Sequence, residues 1–473
     1  MSPQSIEQAI ANWITSRRWF AALGADHVDV TILDSVTIDD GPPLFQIALA
    51  AVDLGAAGRR IYHLPLLIDE NGARDAVDES AHLTVLARQM VEGTSSRGLH
   101  GTFHFSAPGL DPSADPPGTS SSRMIGAEQS NSSIVLDENV ILKIFRRIEP
   151  GPNPDLELAR ALTGAGFDHV PAQLGEITYE SDDDTESFDL AMAQRYVADA
   201  RDGWTVAVGQ IAELYDEAHE ADAAEDVAFL TEERSASLLD SIARLGDVTA
   251  ELHVTLSREE LEPALAPEPL TETDLSQLGA RIQDTLERLR DSGFAEITGL
   301  EQHIQERVDA LEGLMETGLK ARVHGDYHLG QALLSRGEWM LLDFEGEPLK
   351  SFEERRAKHS PIRDVAGMLR SLNYAATAAL FERAEPDSEE WKQLQTWADA
   401  WEVAARERFL TAYLSRAHEG RYLPNERETF AVLLDAFELD KALYEIEYEL
   451  SHRPQWLRIP LRGVAQIIER SRR

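Results

Sequence analysis

Apolar residues fall at two spacings along this chain, and the change from one to the other divides it. Residues 5–16 read as a helix leading into Arg18-Trp19-Phe20. Strand-like runs at 28–33, 44–52 and 60–68 follow, and then a helix around 82–91. This predicts a small α/β unit over residues 1–95, a cap or docking module with no chemistry of its own. Residues 106–122 are rich in Pro, Gly and Ser and read as a loop or linker inside a β-rich segment. Beyond it, 134–136 and 140–145 read as strands. Asn153-Pro154-Asp155 opens a helix, and strands at 172–179 and 188–197 flank an acidic tip. From Asp202 the pattern becomes helical, with apolar residues three and four apart over 204–218, 233–254 and 275–319, and again from Ser388 to about Leu450. The expected division is therefore a cap at 1–95, a β-rich subdomain at 96–200 and a helical lobe at 201–473.

One stretch breaks the helical pattern. Val323–Pro348, VHGDYHLGQALLSRGEWMLLDFEGEP, reads as a tight turn, a short strand, a two-residue tip and a second strand. Asp326 stands at its start and Asp343 at its end, with Gln331 five residues after the first and Glu345 two after the second. Phosphoryl transfer needs such a set: an acid at the acceptor hydroxyl, then oxygen ligands for Mg²⁺ beneath the nucleotide phosphates. Solvated acids on a hairpin are the plain alternative, but an apolar strand running into Asp343 is an odd place for a merely soluble carboxylate.

Composition narrows the partners. The 473 residues carry 84 acidic and 44 basic side chains, a formal charge of −40, which repels nucleic acid and anionic membrane. There is no cysteine, so thiolate chemistry, disulfides and cysteine-bound zinc are excluded. No apolar run has the length of a bilayer span, and the first twenty residues lack the apolar core of a signal peptide, so a soluble cytoplasmic protein is expected.

Only six of the 44 basic residues are lysines, and Lys143 is the sole one before Lys320. It sits mid-strand in Val140-Ile-Leu-Lys-Ile-Phe145, where kinases keep the lysine that reaches the nucleotide phosphates. Ser130, Asn131, Ser132 and Ser133 stand where a Gly-rich loop would cover those phosphates, offering hydroxyls and backbone N–H groups. Glu157, early in the next helix, is the expected ion-pair partner of Lys143. Adenine would bond to backbone at Gln194–Tyr196, with Met192 behind it. His253 reads as a packed or capping histidine, and Asp364 as a helix-head acid that accepts N–H bonds from the loop around Asp326. In Phe437–Leu450, aliphatics line one side of a helix at about 100° per residue and Lys441, Tyr444 and Tyr448 share the other. Flat rings beside polar groups suit a sugar, although a helix buried on both faces gives the same pattern.

With Lys143, HGDYHLGQ, LLDFEGEP, SPIRDVAGMLRS and ELDKALYEIEYE in place, the chain resembles the bacterial maltokinases, relatives of the aminoglycoside phosphotransferases and eukaryotic-like kinases. The resemblance runs from Arg18-Trp-Phe to Ile459-Pro-Leu. Gln331 stands where the wider superfamily has Asn, as in the maltokinase branch. The nucleotide loop lacks a glycine triplet, and RWFAALG departs from the family's usual start. The resemblance implies an α+β, bilobal protein-kinase-like fold with an added N-terminal α/β cap and a mostly helical C-terminal lobe. It implies that ATP and Mg²⁺ are used, with Asp326 as the catalytic base or orienting acid for the sugar hydroxyl, Gln331, Asp343 and Glu345 at the metal, and Lys143 with Glu157 at the phosphates. His324, Asp326, Lys441, Tyr444 and Tyr448 would line the sugar site. The implied reaction is ATP plus maltose to maltose 1-phosphate on the trehalose-to-glycogen route, with a trehalose synthase as partner and the chain a monomer or weak oligomer. Two rivals stand beside it: a kinase of glucosamine or another sugar on the same fold, and a nucleotide-binding regulator or scaffold.

Overall fold

The computed structural model describes residues 3–20, 27–109, 121–125, 130–183, 185–218, 226–348 and 350–470. Most of the Pro/Gly/Ser-rich linker, part of the expected phosphate loop (126–129) and part of the acidic stretch after residue 217 lie outside them. The chain divides into two units, residues 1–164 with 170–198, and residues 165–169 with 199–473.

The first unit contains α1 (Pro3–Ile14), β1 (Asp29–Asp39), β2 (Leu44–Asp53), β3 (Arg59–Asp69), β4 (Gly72–Asp75), α2 (Thr84–Glu92), β5 (Ser95–Arg97) and β6 (Gly101–Ser106). There follow β7 (Ser122–Met124), β8 (Asn131–Leu136), β9 (Val140–Phe145), β10 (Arg147–Ile148), α3 (Pro154–Gly164), β11 (Gln173–Ser181) and β12 (Ser187–Arg195). Alternation along β2 explains the packing. Phe45, Ile47 and Leu49 enter a core shared with β8, β9, β11, β12 and α2, while Ala48, Ala50 and Val52 face α1, Trp19 and Phe20. Both faces are buried, and each large side chain so covered contributes about 1.5–3 kcal/mol. β10 adds to β3 antiparallel, so the cap sheet incorporates chain from beyond residue 95. The seven-stranded sheet runs β5-β6-β11-β12-β9-β8-β7, with β9 near its centre.

The second unit begins with β13 (Ala200–Asp202), α4 (Gly203–Ala218), α5 (Val227–Arg234), α6 (Ala236–Leu256), β14 (Glu268–Pro269), α7 (Glu272–Asp291) and α8 (Glu301–Asp309). It continues with β15 (Leu319–Lys320), β16 (Ala332–Ser335), β17 (Glu338–Leu341), α9 (Phe352–Arg356), α10 (Ile362–Phe381), α11 (Glu389–Ala417), α12 (Arg427–His452) and α13 (Arg458–Arg470). The continuous helix expected over 275–319 is broken. A Thr271–Asp274 capping box starts α7, and Gly293 at φ +78° follows its end. Gly420 and Pro424 likewise separate α11 from α12. Ile459-Pro-Leu belongs to α13, whose Ile459, Val464, Ile467 and Ile468 are buried at helical spacing. Pro460 is tolerated because it lies in the first turn.

Candidate active site

The expected hairpin is formed by β16 and β17 around the Arg336-Gly337 tip, in antiparallel register from Ala332↔Leu341 to Ser335↔Glu338. Asp326 precedes it and Asp343 follows it. Gln331 ties the two ends: its carbonyl accepts the Leu342 N–H at 2.9 Å, and its amide donates to Asp343 Oδ2 at 3.1 Å. Asp343 has φ +65°, a left-handed conformation that Asp tolerates better than most residues but that still holds strain. Glu345 and Asp343 bring carboxylate oxygens within 4.8 Å of each other. Two carboxylates and an amide whose oxygen remains to be offered form an all-oxygen donor set, which fits a hard divalent ion such as Mg²⁺.

The turn carrying Asp326 is held from below. Asp364, at the head of α10, accepts N–H bonds from His324 at 2.7 Å and Gly325 at 3.0 Å. His253 reaches Asp364 at 3.2 Å through Nε2 and the Tyr413 hydroxyl at 3.0 Å through Nδ1, and both His253 and Asp364 are buried. Burial works against the Asp364 carboxylate, but these contacts together hold its pKa below the ordinary value. Gly325, at φ +84°, lies so near the second turn that a Cβ would stand 3.3 Å from the Gly346 Cα.

A cavity of about 310 Å³ opens beside Asp326, at the small end of the usual ~300–1,000 Å³ for small-molecule pockets. α7, α10, α12 and the hairpin loops line it. Lys441 reaches in from α12, 2.9 Å from Glu347 Oε1 and 3.7 Å from Asp326 Oδ1, with its ammonium 5.3 Å from the Tyr444 ring centroid. Burial disfavours the Lys441 charge, yet Glu347 and Asp326 raise its pKa above the usual lysine range. Burial likewise works against ionised Glu347, but Lys441, Arg363 and Lys350 pull its pKa down to about 2. Arg363 lies 3.6 Å from Glu347 and also donates to the Gly325 carbonyl at 3.3 Å.

In the first unit, Lys143 is almost buried on β9 and donates to Asp155 Oδ2 at 2.8 Å. Strand register places Ser133 and Met192 directly across from it on β8 and β12, so the three share one face of the sheet. Buried Asp155 begins α3, after Asn153 Oδ1 has accepted its N–H.

Several expected residues fall elsewhere. Lys143 pairs with Asp155, two residues before Glu157 on the same helix, an acid whose place at the helix start gives no sign of this contact. Ser132 faces away from Lys143, and its hydroxyl accepts from Arg146 Nε at 2.8 Å; Ser133 is the serine on the Lys143 face, and Ser130 is exposed. Among the expected adenine contacts, the Tyr196 N–H is already bonded to the Asn139 carbonyl at 2.8 Å and the Arg195 N–H to Ala172 at 3.0 Å. Gln194 turns its side chain to the Pro171 carbonyl at 3.4 Å, and Met192 is buried in the core. His324 is not a cavity residue. Its ring is buried between Tyr327 and Phe344, and Nε2 meets the Leu342 carbonyl at 2.9 Å. Tyr444 lines the cavity, whereas Tyr448 is 40 % exposed one turn further on, stacked on His452. Two residues were missed: Glu347, the second acid of EGEP, and His328, whose Nε2 lies 4.0 Å from Asp326.

Residues 13–96 match the family described as Maltokinase N-terminal cap domain. The chain is similar to glucosamine kinase of Mycolicibacterium smegmatis, 29 % identical over 72 % of this chain and 77 % of the relative. It is similar to glucosamine kinase of Streptacidiphilus jiangxiensis as well, 28 % identical over 72 % and 71 %. A solved glucosamine kinase in complex with glucosamine, ADP and inorganic phosphate superposes with a TM-score of 0.70 at 23 % identity, covering 97 % of this chain and 98 % of that one. By its likeness to these relatives the chain is a kinase, a phosphotransferase. Its likeness to the maltokinases lies in the cap, over residues 13–96.

Proposed function

We propose that the chain is an ATP- and Mg²⁺-dependent sugar kinase that converts maltose to maltose 1-phosphate. The observation that carries the acceptor is Lys441, fixed between Asp326 and Glu347 in the cavity wall. A cation at that point hydrogen-bonds sugar hydroxyls but repels an ammonium, which favours a neutral sugar over glucosamine. Asp326 orients the anomeric hydroxyl and takes its proton as the oxygen attacks the γ-phosphorus and the bond to ADP breaks. Gln331, Asp343 and Glu345 would hold Mg²⁺, which supplies charge neutralisation at the phosphates. Lys143, oriented by Asp155 and with Glu157 on the same helix, would hold the α- and β-phosphates. Backbone at Gln194–Tyr196 would meet adenine, through carbonyls where the amides are engaged. Backbone N–H groups near Ser130 and Ser132 would cover the phosphates, and Tyr444, with Tyr448 beyond it, would stack on the sugar.

This reading puts the reaction in the cytoplasm, on the route from trehalose through maltose to glycogen or α-glucan. It calls for a trehalose synthase as partner and for a monomer or weak oligomer. The second reading is glucosamine, favoured by the named activity of the two relatives and by Asp284 and Asp440 on the cavity wall. ADP release measured with maltose, glucose, trehalose and glucosamine separates them. Maltose is expected to be the best acceptor and glucosamine poor; the reverse order overturns the assignment. No ADP release with any acceptor sinks both and leaves the regulator or scaffold.

A further inference from the structure

We propose that Arg146 is a positioning residue through which the cap sets the strand pair that carries Lys143. Arg146 follows β9 directly, and its side chain is fully buried. Its Nη2 donates twice to the Asp75 carboxylate, at 3.0 and 2.9 Å, and its Nε donates to Ser132 Oγ at 2.8 Å. The guanidinium lies over the Trp19 ring, 4.7 Å from its centroid. The Arg146 carbonyl in turn accepts the His63 N–H at 2.8 Å. Trp19, His63 and Asp75 all belong to the cap, within residues 13–96.

Strand register gives this cluster its leverage. Ser132 lies opposite Ile144, and Arg146 is two residues beyond Ile144, so Ser132 and Arg146 occupy the face of the β8–β9 ladder opposite Lys143 and Ser133. His63 adds a second tie. Its Nδ1 stands 3.2 Å from the Phe145 carbonyl and 3.0 Å from that of Leu190, so one cap side chain spans β9 and β12 behind the Lys143–Met192 row. A buried ion pair is weak as a source of stability, since desolvation offsets the attraction. What a planar fork with fixed donors supplies is orientation. Here it fixes the tilt of β8 against β9, and with it the reach of Lys143 toward Asp155.

The inference rests on Lys143 holding the nucleotide phosphates, so Lys143→Ala is the control. Calorimetric binding of ADP in Mg²⁺, without acceptor, is measured for Ser132→Ala, Asp75→Asn, Arg146→Lys and the Ser132→Ala/Asp75→Asn pair, alongside steady-state kinetics. Each single variant is expected to weaken ADP binding and raise KM for ATP roughly tenfold, the scale of one charge-assisted hydrogen bond, with KM for the acceptor unmoved. The double variant should lose no more than the worse single, because both act through one guanidinium. Wild-type ADP affinity in folded Ser132→Ala and Asp75→Asn overturns the proposal, and so do losses that simply multiply. If Lys143→Ala itself keeps wild-type affinity, the phosphate role of Lys143 fails first and this inference falls with it. If only Lys143→Ala loses affinity, this inference alone is wrong.

Discussion

Lys441 and Asp326 lie 3.7 Å apart across the cavity, and Glu347 holds the same ammonium at 2.9 Å. Lys441 therefore cannot move toward an acceptor without releasing one carboxylate, and its charge offsets both. Lys441→Met removes the cation that Asp326 and Glu347 share and leaves Arg363 and Lys350 to offset Glu347. We expect KM for the acceptor to rise about 10–100-fold, a loss of roughly 1.4–2.8 kcal/mol, with KM for ATP within twofold of wild type. A rise in KM for ATP instead would remove Lys441 from the acceptor site.

The proposed reaction gives Asp326 the task of taking the acceptor's proton. Asp326→Asn keeps the shape and the contact with Lys441 but cannot accept that proton. Turnover should fall about 10²–10⁴-fold, while calorimetry finds ADP binding unchanged. Near-normal turnover would remove the acid–base assignment.

The sequence disclosed the hairpin and both acids because they lie on one continuous stretch whose periodicity departs from its surroundings. Asp364 was legible as well: an acid heading a helix right after the loop has few other tasks, and it accepts the two N–H bonds expected of it. What stayed hidden depended on direction rather than residue type. Nothing local shows which of Ser132 and Ser133 shares the face of Lys143, because the register of β8 on β9 decides it. Asp155 reads as a helix-start acid, and only the path of α3 past β9 brings it to Lys143. His324 had the residue type of a substrate ligand, but its ring is spent on packing between Tyr327 and Phe344. The cap disclosed its strands and withheld its purpose, since Arg146 and Asp75 are 71 residues apart.

Glu347 makes stability dependent on pH. Its pKa in the fold is about 2, below the ordinary 4.5, so its contribution is complete above about 4.5 and is lost as pH falls toward 2. Glu347→Gln should therefore destabilise the protein at pH 6 and have less effect at pH 2.5. Urea midpoints at the two pH values test this; equal shifts would mean that Glu347 acts through packing alone.

Asp189 runs the other way. On β12 it accepts the Asn153 N–H at 2.7 Å, yet burial raises its pKa to about 6, with Asn153 and Arg160 opposing the rise and Glu176 and Glu157 adding to it. Between its ordinary 3.8 and 6 the native state keeps a proton that the unfolded chain has released, so this group's contribution to stability falls as pH rises through that window. Asp189→Asn keeps an acceptor for Asn153 and removes the charge. Its melting temperature should exceed wild type at pH 8 and match it near pH 3.5. A gain of equal size at both would rule out titration of Asp189 as the cause.

The metal assignment rests on Asp343, whose left-handed backbone and bond from Gln331 aim its carboxylate rather than let it rotate into solvent. Asp343→Asn removes one negative charge from the donor set but keeps its shape and its reach to Gln331. Hard divalent ions weaken sharply when a carboxylate is replaced by an amide, because the oxygen loses formal charge. The Mg²⁺ concentration giving half-maximal turnover should rise at least tenfold, roughly the 1.4 kcal/mol expected at minimum from one lost charge contact. Gln331→Glu should move it the opposite way, since it adds a charge to the same oxygen set. If both variants respond to Mg²⁺ like wild type, the bond between Gln331 and Asp343 serves the hairpin alone, and the ion must be held by other groups.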